Sequence, residues 1–291
     1  MKISIILVLS LAGLSFAYAK PPKPLLWQVS DTDNSVYLLG SMHLLKSGDY
    51  PLDAAVGKAF DDAETIYFEI SPEEANNPAV AQNMLKAGTN GNGRTLQKSL
   101  KREVWDRLKA YCRAHKIPLA TFQPFKPWLA GLIISIAEMQ KSGLQGELGL
   151  DRYFINQAGK QGKKTGAFET IAGQLAFFDR LNAEEQEQFL DETLKQVGNP
   201  QIIDDLHRLW RNGDAEGMWR MTAAEMVKKT PEFYRSFLVD RNKAWLPKIS
   251  EFLRQNSRDD ALIVVGSLHL LGEDGLVELL KQQGFRVVRL P

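Results

Sequence analysis

A repeated strand-and-histidine motif constrains the fold more than any other feature of this 291-residue chain. Residues 36–45 read VYLLGSMHLL, and residues 262–271 read LIVVGSLHLL. Each copy is an apolar run of strand type followed by Gly-Ser-x-His-Leu-Leu, so His43 and His269 occupy matching positions. A strand that ends in glycine and then presents a histidine places an imidazole at the carboxyl edge of a sheet, where α/β folds bind ligands.

The sequence that follows each copy repeats as well. A helical pattern at 52–64 precedes the apolar run 65–70, and a helical pattern at 274–283 precedes the apolar run 285–290. Each copy is therefore typical of a βαβ unit with parallel pairing. We predict an α/β (α+β) fold in which two pseudo-repeated units, from the N- and C-terminal parts, form a central sheet. A large helical region, running through residues 172–255, lies between them.

The first residues have the pattern of a signal peptide. Lys2 precedes an apolar run at 3–16, and Ala17-Tyr18-Ala19 then stands before Lys20. The apolar run is shorter than the ~20 residues that a membrane span needs, and the Ala-x-Ala ending argues against a retained anchor. We predict a signal peptide at 1–19, cleaved between Ala19 and Lys20, and a single domain at 20–291. The mature chain is then expected in the periplasm or outside the cell, without a stable membrane span.

Composition excludes some partners. Lys and Arg number 36 against 35 Asp and Glu, a net charge of +1, and no long run of one sign occurs, so we expect no nucleic-acid partner. Cys112 is the only cysteine, which makes an internal disulfide impossible. Its position in a helical pattern indicates a buried apolar role.

The paired histidines are the first candidates for chemistry. A lone histidine in an apolar context is usually structural, and that interpretation suits His115 and His207. It suits His43 and His269 less well, because they stand in near-identical loops after strands. Imidazole binds divalent transition metals or acts as a general base near neutral pH.

Two carboxylates stand at comparable places. Glu69 lies in the apolar run 65–70, and Glu169 lies at the end of the short strand pattern 165–170, where an unpaired acid is costly to bury. Either could be ion-paired with a basic residue or lie on the solvent face of an edge strand. If their strands join the sheet that carries the histidines, all four groups converge at one edge. Two histidines with one or two carboxylates are typical of a zinc- or manganese-type site with an open water position.

The order and spacing of several short motifs resemble the TraB/GumN family, which is related to the animal Tiki proteins. The resemblance covers about residues 25–291 and is carried by the first Gly-Ser-x-His motif, Glu69, 127–130, 147–151, 169–170, Arg241-Asn242, 265–275 and 284–287. It implies a fold related to erythromycin-esterase-like and ChaN-like proteins. By spacing alone, Asp240-Arg241-Asn242 would be read as a solvated helix face.

The resemblance also implies the site residues. The catalytic residues are His43, Glu69, Glu169, Arg241 and His269. Of these, His43, Glu69 and His269 would bind Mn²⁺, Co²⁺ or Zn²⁺ or act as general base, and Glu169 would be a further ligand or base. Arg241 would bind a substrate carboxylate or a developing oxyanion. We further expect Ser41, Asn242 and Ser267 to bind substrate.

The leading hypothesis is a periplasmic metal-dependent hydrolase, protease-like as Tiki proteins are described, that acts on a peptide or a small molecule. One alternative is a metal-free, esterase-like hydrolase that uses a His–Glu pair as general base. Another is a binding protein for haem or a similar ligand, without turnover, and a fourth reading makes both histidine loops structural. The sequence leaves open whether the protein is an enzyme, and also its substrate, its metal and its oligomeric state.

Overall fold

A computed structural model of the protein describes residues 20–91, 93–197, 199, 201–255 and 257–291. In this part of the chain one mixed sheet has the strand order β4-β3-β5-β2-β1-β6. Its strands are β1 Leu26–Ser30, β2 Ser35–Ser41, β3 Thr65–Ile70, β4 Lys164–Glu169, β5 Ala261–Gly266 and β6 Arg286–Arg289. Strands β2, β5, β3 and β4 pair in parallel, whereas β1 pairs antiparallel with β2 and β6. The predicted α/β class is confirmed.

Helices fill most of the remaining chain, and the predicted helical middle region is confirmed. They are α1 Ala54–Asp62, α2 Pro72–Ala75, α3 Ala79–Ala87, α4 Arg102–Ala114, α5 Pro127–Lys141, α6 Leu150–Gln161, α7 Ile171–Arg180, α8 Ala183–Val197, α9 Gln201–Arg211, α10 Ala215–Met221, α11 Ala223–Lys229, α12 Pro231–Tyr234, α13 Asp240–Arg254 and α14 Leu276–Gln282. A π-helical turn, Arg235–Val239, joins α12 to α13.

The two central strands explain the long apolar runs of the repeated motif. Strand β2 is buried at every residue, and β5 at every residue except Gly266. A strand covered on both faces reads as a continuous apolar run, because it has no solvent side to carry polar residues. The edge strands β4 and β6 carry the charged residues Lys164, Arg286 and Arg289, which disfavour pairing with another chain.

The two repeated units do not have equivalent neighbours in the sheet. Strand β5 lies between β2 and β3 and pairs with both, so the two strands of the first unit, β2 and β3, do not pair with each other. In the second unit, β6 pairs with β1 instead of β5. The predicted parallel pairing within each unit is therefore not confirmed. The physical reason is that β2 and β3 occupy both edges of β5, so that β6 pairs at the free edge of β1.

The described residues form more than one hydrophobic core. Sheet residues pack against residues of α1, α6, α13 and α14 in one cluster. A second cluster joins α4, α5 and α8, with Trp105, Leu108 and Ile134 among its members. Cys112 belongs to the second cluster, and burial raises the pKa of its thiol, as expected for a residue with an apolar packing role.

The predicted signal peptide at 1–19 lies outside the described residues. Among the helices of the described residues, we find none with the length and apolar content needed to cross a membrane.

The loop that carries His43 is fixed by the segment that leads into α6. Leu45 and Gln145 exchange backbone hydrogen bonds of 2.8 and 3.1 Å, and the Leu150 N–H donates to the Met42 carbonyl at 3.0 Å. Gly149 lies so close to this loop that a Cβ added there would overlap the carbonyl oxygen of His43. The position therefore needs glycine for close approach and not for a left-handed backbone, since its φ is −55°.

Substituting Gly149→Ala should therefore destabilise the fold by displacing the His43 loop. Overpacking of this kind costs about 1–3 kcal/mol, which thermal unfolding measures as a lower Tm. Gly146→Ala is the matched control, because a Cβ at Gly146 meets nothing within 4 Å. Equal Tm values for the two variants would show that the contact between α6 and the loop is looser than described.

Candidate active site

Four parallel strands end at one edge of the sheet and bring the predicted residues there. Glu69 is the next-to-last residue of β3, and Glu169 is the last residue of β4. His43 follows β2 by two residues, and His269 lies in the short 3-10 turn Ser267–Leu270 after β5. Arg241, in the first turn of α13, completes the group. The sheet therefore brings together residues that are far apart in sequence.

Arg241 is the centre of this group. Its Nη2 lies 2.7 Å from Glu69 Oε2 and 2.8 Å from Glu169 Oε2, and its Nε donates to Glu169 Oε1 at 2.9 Å. Its Nη1 donates to His269 Nε2 at 3.0 Å and to the Phe237 carbonyl at 3.3 Å. Since a guanidinium has five N–H groups, every one has a protein partner.

The surroundings favour the charged guanidinium. Its carbon lies 5.0 Å from the centre of the Trp245 ring and 5.6 Å from that of Phe237, within cation–π range. Burial alone would lower the pKa of Arg241, but Glu169 and Glu69 outweigh burial and raise it. The π-helical turn that precedes α13 contains Phe237, so this local irregularity supplies both a ring and a carbonyl to the site.

Glu69 is held as a carboxylate. Beyond Arg241, its Oε1 accepts from the Gly266 N–H at 2.8 Å and its Oε2 accepts from Gln174 Nε2 at 3.2 Å. Burial alone would raise its pKa, but the charge that His269 takes on only below about pH 3, the charges of Arg241 and His43, and the Gly266 N–H lower it to about 2. Because this folded-state pKa lies below the ordinary 4.5, the ionised Glu69 stabilises the folded protein. That contribution to the free energy of unfolding is fully present above pH 4.5 and is lost as pH falls toward 2.

Glu169 is the bidentate partner of Arg241 and is tied to the neighbouring helices. The Trp245 indole N–H donates to its Oε1 at 3.0 Å, and Gln174 Nε2 donates to its Oε2 at 3.2 Å. Gln174 therefore bridges the two glutamates, because the same amide nitrogen donates to Glu69. These bonds fix the geometry between β4, α7 and α13.

His269 is buried and neutral, and its tautomer follows from its neighbours. Asn242 Nδ2 donates to the backbone carbonyls of His269 and Asp274, so Asn242 Oδ1 faces His269 Nδ1 as an acceptor at 2.7 Å. The proton is therefore on Nδ1, and Nε2 accepts from Arg241. Burial and the nearby charge of Arg241 lower the pKa of His269 to about 3, although Glu69 opposes the shift. Both ring nitrogens are thus engaged.

His43 has the opposite environment. Its side chain is 62% exposed, and its Nδ1 lies 2.8 Å from Asp151 Oδ2. The Asp151 charge and hydrogen bond, helped by Glu69, raise the pKa of His43 to about 9, although the charge of Arg241 opposes the shift. Its Nε2 has no hydrogen-bond partner among the described residues and lies over Gly266, where an added Cβ would be 3.7 Å from His43 Nε2 and 3.2 Å from Glu69 Oε1.

The predicted substrate-binding residues are placed inside the protein. The Ser41 hydroxyl donates to Asp151 Oδ1 at 3.0 Å, and the Ser267 hydroxyl donates to the Ser41 carbonyl at 2.8 Å. Asn242 is 1% exposed and holds His269, as described above. In this arrangement all three orient other site residues, and a direct contact with substrate stays a prediction.

Three site residues were absent from the candidates taken from the sequence: Asp151, Gln174 and Trp245. Asp151 had a signal, because Gly149-Leu150-Asp151 ends one of the motifs that carry the family resemblance and an acid in the first turn of a helix is also typical of capping. Gln174 and Trp245 had none, since each sits in an ordinary amphipathic helix pattern.

The predicted metal ligands were tested against this geometry. His269 donates or accepts through both nitrogens, and each oxygen of Glu69 accepts at least one hydrogen bond. Within the described ranges, no three His, Cys, Asp or Glu side chains are arranged as a metal site. The residues as arranged therefore do not fit a metal held by His43, Glu69 and His269.

The chain is similar to known proteins along most of its length. The model of the TraB/PrgY/gumN family matches residues 25–289. The chain is 22% identical to "Metalloprotease TIKI2" of Xenopus tropicalis, in a match that covers 88% of this chain and 58% of that protein. It is 23% identical to "Uncharacterized protein YbaP" of Escherichia coli (strain K12), covering 84% and 87% respectively.

A third relative, "Metalloprotease TIKI homolog" of Nematostella vectensis, is 22% identical, in a match that covers 90% of this chain and 66% of that protein. The chain therefore spans less than two thirds of the length of these two TIKI relatives. No solved structure gives a significant match. The family resemblance seen in the sequence is confirmed.

The Asp151→Asn variant should lower the pKa of His43 from about 9 toward its ordinary 6.5, because the largest cause of the shift is removed. NMR titration of the His43 ring protons measures this directly. His115, whose ring contacts Lys141, serves as an internal control, and its titration curve should not change. An unchanged His43 titration would show that Asp151 does not control this imidazole.

Proposed function

This chain belongs to the TraB/PrgY/gumN family, and we propose that it is a hydrolase that cleaves peptide bonds, with His43 as the residue that moves the proton. Its TIKI relatives are named metalloproteases, which supports peptides as the substrate class. The observation that carries the proposal is the His43–Asp151 pair: Asp151 holds Nδ1 at 2.8 Å, and Nε2 has no hydrogen-bond partner in the part of the chain that the structure describes.

The other three histidines are poorly placed for this role. His207 is buried with its Nε2 2.8 Å from Asp49, and His115 contacts Lys141 at 2.9 Å, away from the sheet edge. His269 is buried with both nitrogens engaged. His43 is therefore the imidazole that can contact a substrate and exchange a proton with it.

The proposed reaction uses His43 first as a base and then as an acid. Its neutral Nε2 takes a proton from water while the water oxygen forms a bond to the substrate carbonyl carbon. The carbon–nitrogen bond then breaks as the imidazolium returns the proton to the leaving amine. Asp151 holds the ring through Nδ1 throughout, and the nearby Glu69 carboxylate stabilises the imidazolium. Because every N–H of Arg241 has a protein partner, Arg241 acts here by positioning Glu69 and Glu169.

A metal-dependent form of this hydrolase is a second candidate, favoured by the name of the TIKI relatives. It would use Mn²⁺, Co²⁺ or Zn²⁺ bound by His43, Glu69 and His269. The bonds of Arg241 to Glu69 and His269 do not fit that set as arranged, so no step above passes through a metal. The pattern of residues 1–19 supports a further part of the proposal, that the mature chain works in the periplasm or outside the cell.

Replacing His43 by alanine should lower kcat/KM for a hydrolysed peptide by about 10²–10⁴-fold, the usual worth of a general base. Since the neutral imidazole is required, wild-type kcat/KM should rise with pH through the His43 pKa of about 9. A quenched-fluorescence peptide library identifies a substrate and then gives the rates.

The matched control is His115→Ala, which removes an imidazole outside the site and should keep the wild-type rate. If His43→Ala cleaves as fast as wild type, or if the rate falls as pH rises toward 9, the proposed role of His43 is wrong.

A further inference from the structure

We propose that a cavity next to the candidate active site binds part of the peptide substrate: a large apolar side chain together with a basic residue beside it in the peptide. The cavity has a volume of about 530 Å³ and is lined by residues of α5, α8, α9 and the segment from α10 to α12. This inference rests on the proposed function, because it takes the substrate to be a peptide. It adds where the peptide binds and which of its side chains are preferred.

The size and the lining of the cavity fit an apolar side chain. Binding pockets for organic ligands have volumes of about 300–1,000 Å³ and are lined mainly by apolar and aromatic side chains, with a few polar groups. Six large apolar side chains of this lining are only half-buried, so a bound side chain would remove more of their surface from water. They are Phe189, Ile202, Leu206, Met221, Met226 and Leu268.

Leu268 joins the cavity to the candidate active site. It is the variable residue of the second Gly-Ser-x-His motif and directly precedes His269 in the turn after β5. Its side chain lines the cavity, while Gly266, two residues earlier, lies beneath the His43 ring. The same short segment therefore contributes to the wall of the cavity and to the floor of the site.

The segment that follows the first histidine is tied to another wall of the cavity. Lys46 Nζ donates to Asp204 Oδ1 at 3.3 Å, and Asp49 Oδ2 lies 2.8 Å from His207 Nε2. Asp204 and His207 belong to α9, whose Leu206 lines the cavity. Both repeated motifs therefore contact the elements that form the cavity.

A row of stacked aromatic rings runs from the cavity to the guanidinium of the site. Phe189 and Phe233 line the cavity and stack with their ring centres 5.5 Å apart, and Phe233 stacks on Phe237 at 5.2 Å. Phe237 in turn lies against the guanidinium of Arg241. Because these contacts fix the cavity beside the site, a peptide with one side chain in the cavity extends toward His43 in the proposed complex.

The charges of the lining favour a basic residue in the peptide. Basic side chains outside the lining pair with three of its acids. Glu185 differs, because in the described part of the chain no ion pair joins it to a basic side chain, and its carboxylate accepts the Asn182 backbone N–H at 2.7 Å. An acidic residue of a peptide would be repelled here, whereas a basic one would be attracted. The lining contains five glutamates and one lysine: Glu184, Glu185, Glu192, Glu225, Glu232 and Lys229.

The test measures peptide binding by the full chain carrying His43→Ala, which prevents turnover in the proposed mechanism. Isothermal titration uses end-blocked hexapeptides of alanine with Phe-Lys, Gly-Lys or Phe-Glu at the two central positions. We expect the Phe-Lys peptide to bind tightest. Its advantage over Gly-Lys should be about tenfold or more, because a single methylene in an apolar pocket is already worth about 10–200-fold.

Variants that fill the cavity locate the binding. Ile202→Trp on α9 and Ser135→Trp on α5 each place a large ring in the space of the peptide side chain, and each should weaken binding of the Phe-Lys peptide by about tenfold or more. Ile136→Trp is the matched control, because Ile136 also lies on α5 but is 36% exposed and lies outside the lining. It should leave peptide binding unchanged. Thermal unfolding checks that each variant is folded.

Glu185→Gln tests the contribution of charge. Glutamine keeps an oxygen acceptor for the Asn182 N–H but removes the negative charge. Binding of the Phe-Lys peptide should therefore weaken by about two- to fivefold, as for other exposed ion pairs. Binding of the matching Phe-Ala peptide should not change.

Four results would overturn the proposal. Gly-Lys or Phe-Glu could bind as tightly as Phe-Lys, which would remove the apolar or the basic preference. Folded Ile202→Trp and Ser135→Trp could both retain full binding, or no peptide could bind at all. Finally, sedimentation could show that wild type is a dimer and Ile202→Trp a monomer, so that a second copy of this chain occupies the cavity.

These measurements need no turnover, so they separate the cavity from the reaction. Peptide binding that is lost in Ile202→Trp, together with no peptide cleavage by wild type, would support the cavity and contradict the hydrolase. Peptide cleavage by wild type with a KM that Ile202→Trp leaves unchanged would support the hydrolase and contradict the cavity.

Discussion

The buried ion pairs of Arg241 with Glu69 and Glu169 are the interaction on which the sheet edge depends. Two carboxylates at the ends of neighbouring parallel strands would repel each other, and each would be costly to bury alone. The guanidinium removes both problems and also ties α13 to β3, β4 and the turn after β5. Removing one partner of such a group typically costs about 3–5 kcal/mol, because a charge is left buried without compensation. The site is thus part of what fixes these elements together.

The two repeated motifs show how position in the fold decides chemistry. His43 and His269 follow the same residues, yet the first is exposed beside Asp151 and the second is buried beside Asn242 and Arg241. The pKa of His43 rises to about 9 while that of His269 falls to about 3. One motif therefore supplies a group that can exchange protons with solvent and substrate. The other supplies a fixed hydrogen-bond acceptor.

Much of this arrangement could be predicted from the sequence. The continuous apolar runs indicated buried parallel strands. Acids in such runs made Glu69 and Glu169 candidates for one site on the condition that their strands joined the same sheet. The pairing partners could not be predicted, because the strand inserted between β2 and β3 comes almost two hundred residues later in the chain. The role of Arg241 in the network was also hidden, since it depends on four hydrogen-bonding residues, Glu69, Glu169, Phe237 and His269, that lie in separate elements. Asp151 could be noticed only as part of a motif. Its role could not be predicted, because its partner His43 precedes it by 108 residues.

The most direct test of this account is the protonation state of the two site histidines at pH 7. Nitrogen-15 NMR of imidazole-labelled protein distinguishes the cationic ring from each neutral tautomer. The account predicts that His269 is neutral with its proton on Nδ1, whereas His43 is predominantly cationic. A protonated His269, or a neutral His269 with its proton on Nε2, would contradict the arrangement of Arg241 and Asn242 around it.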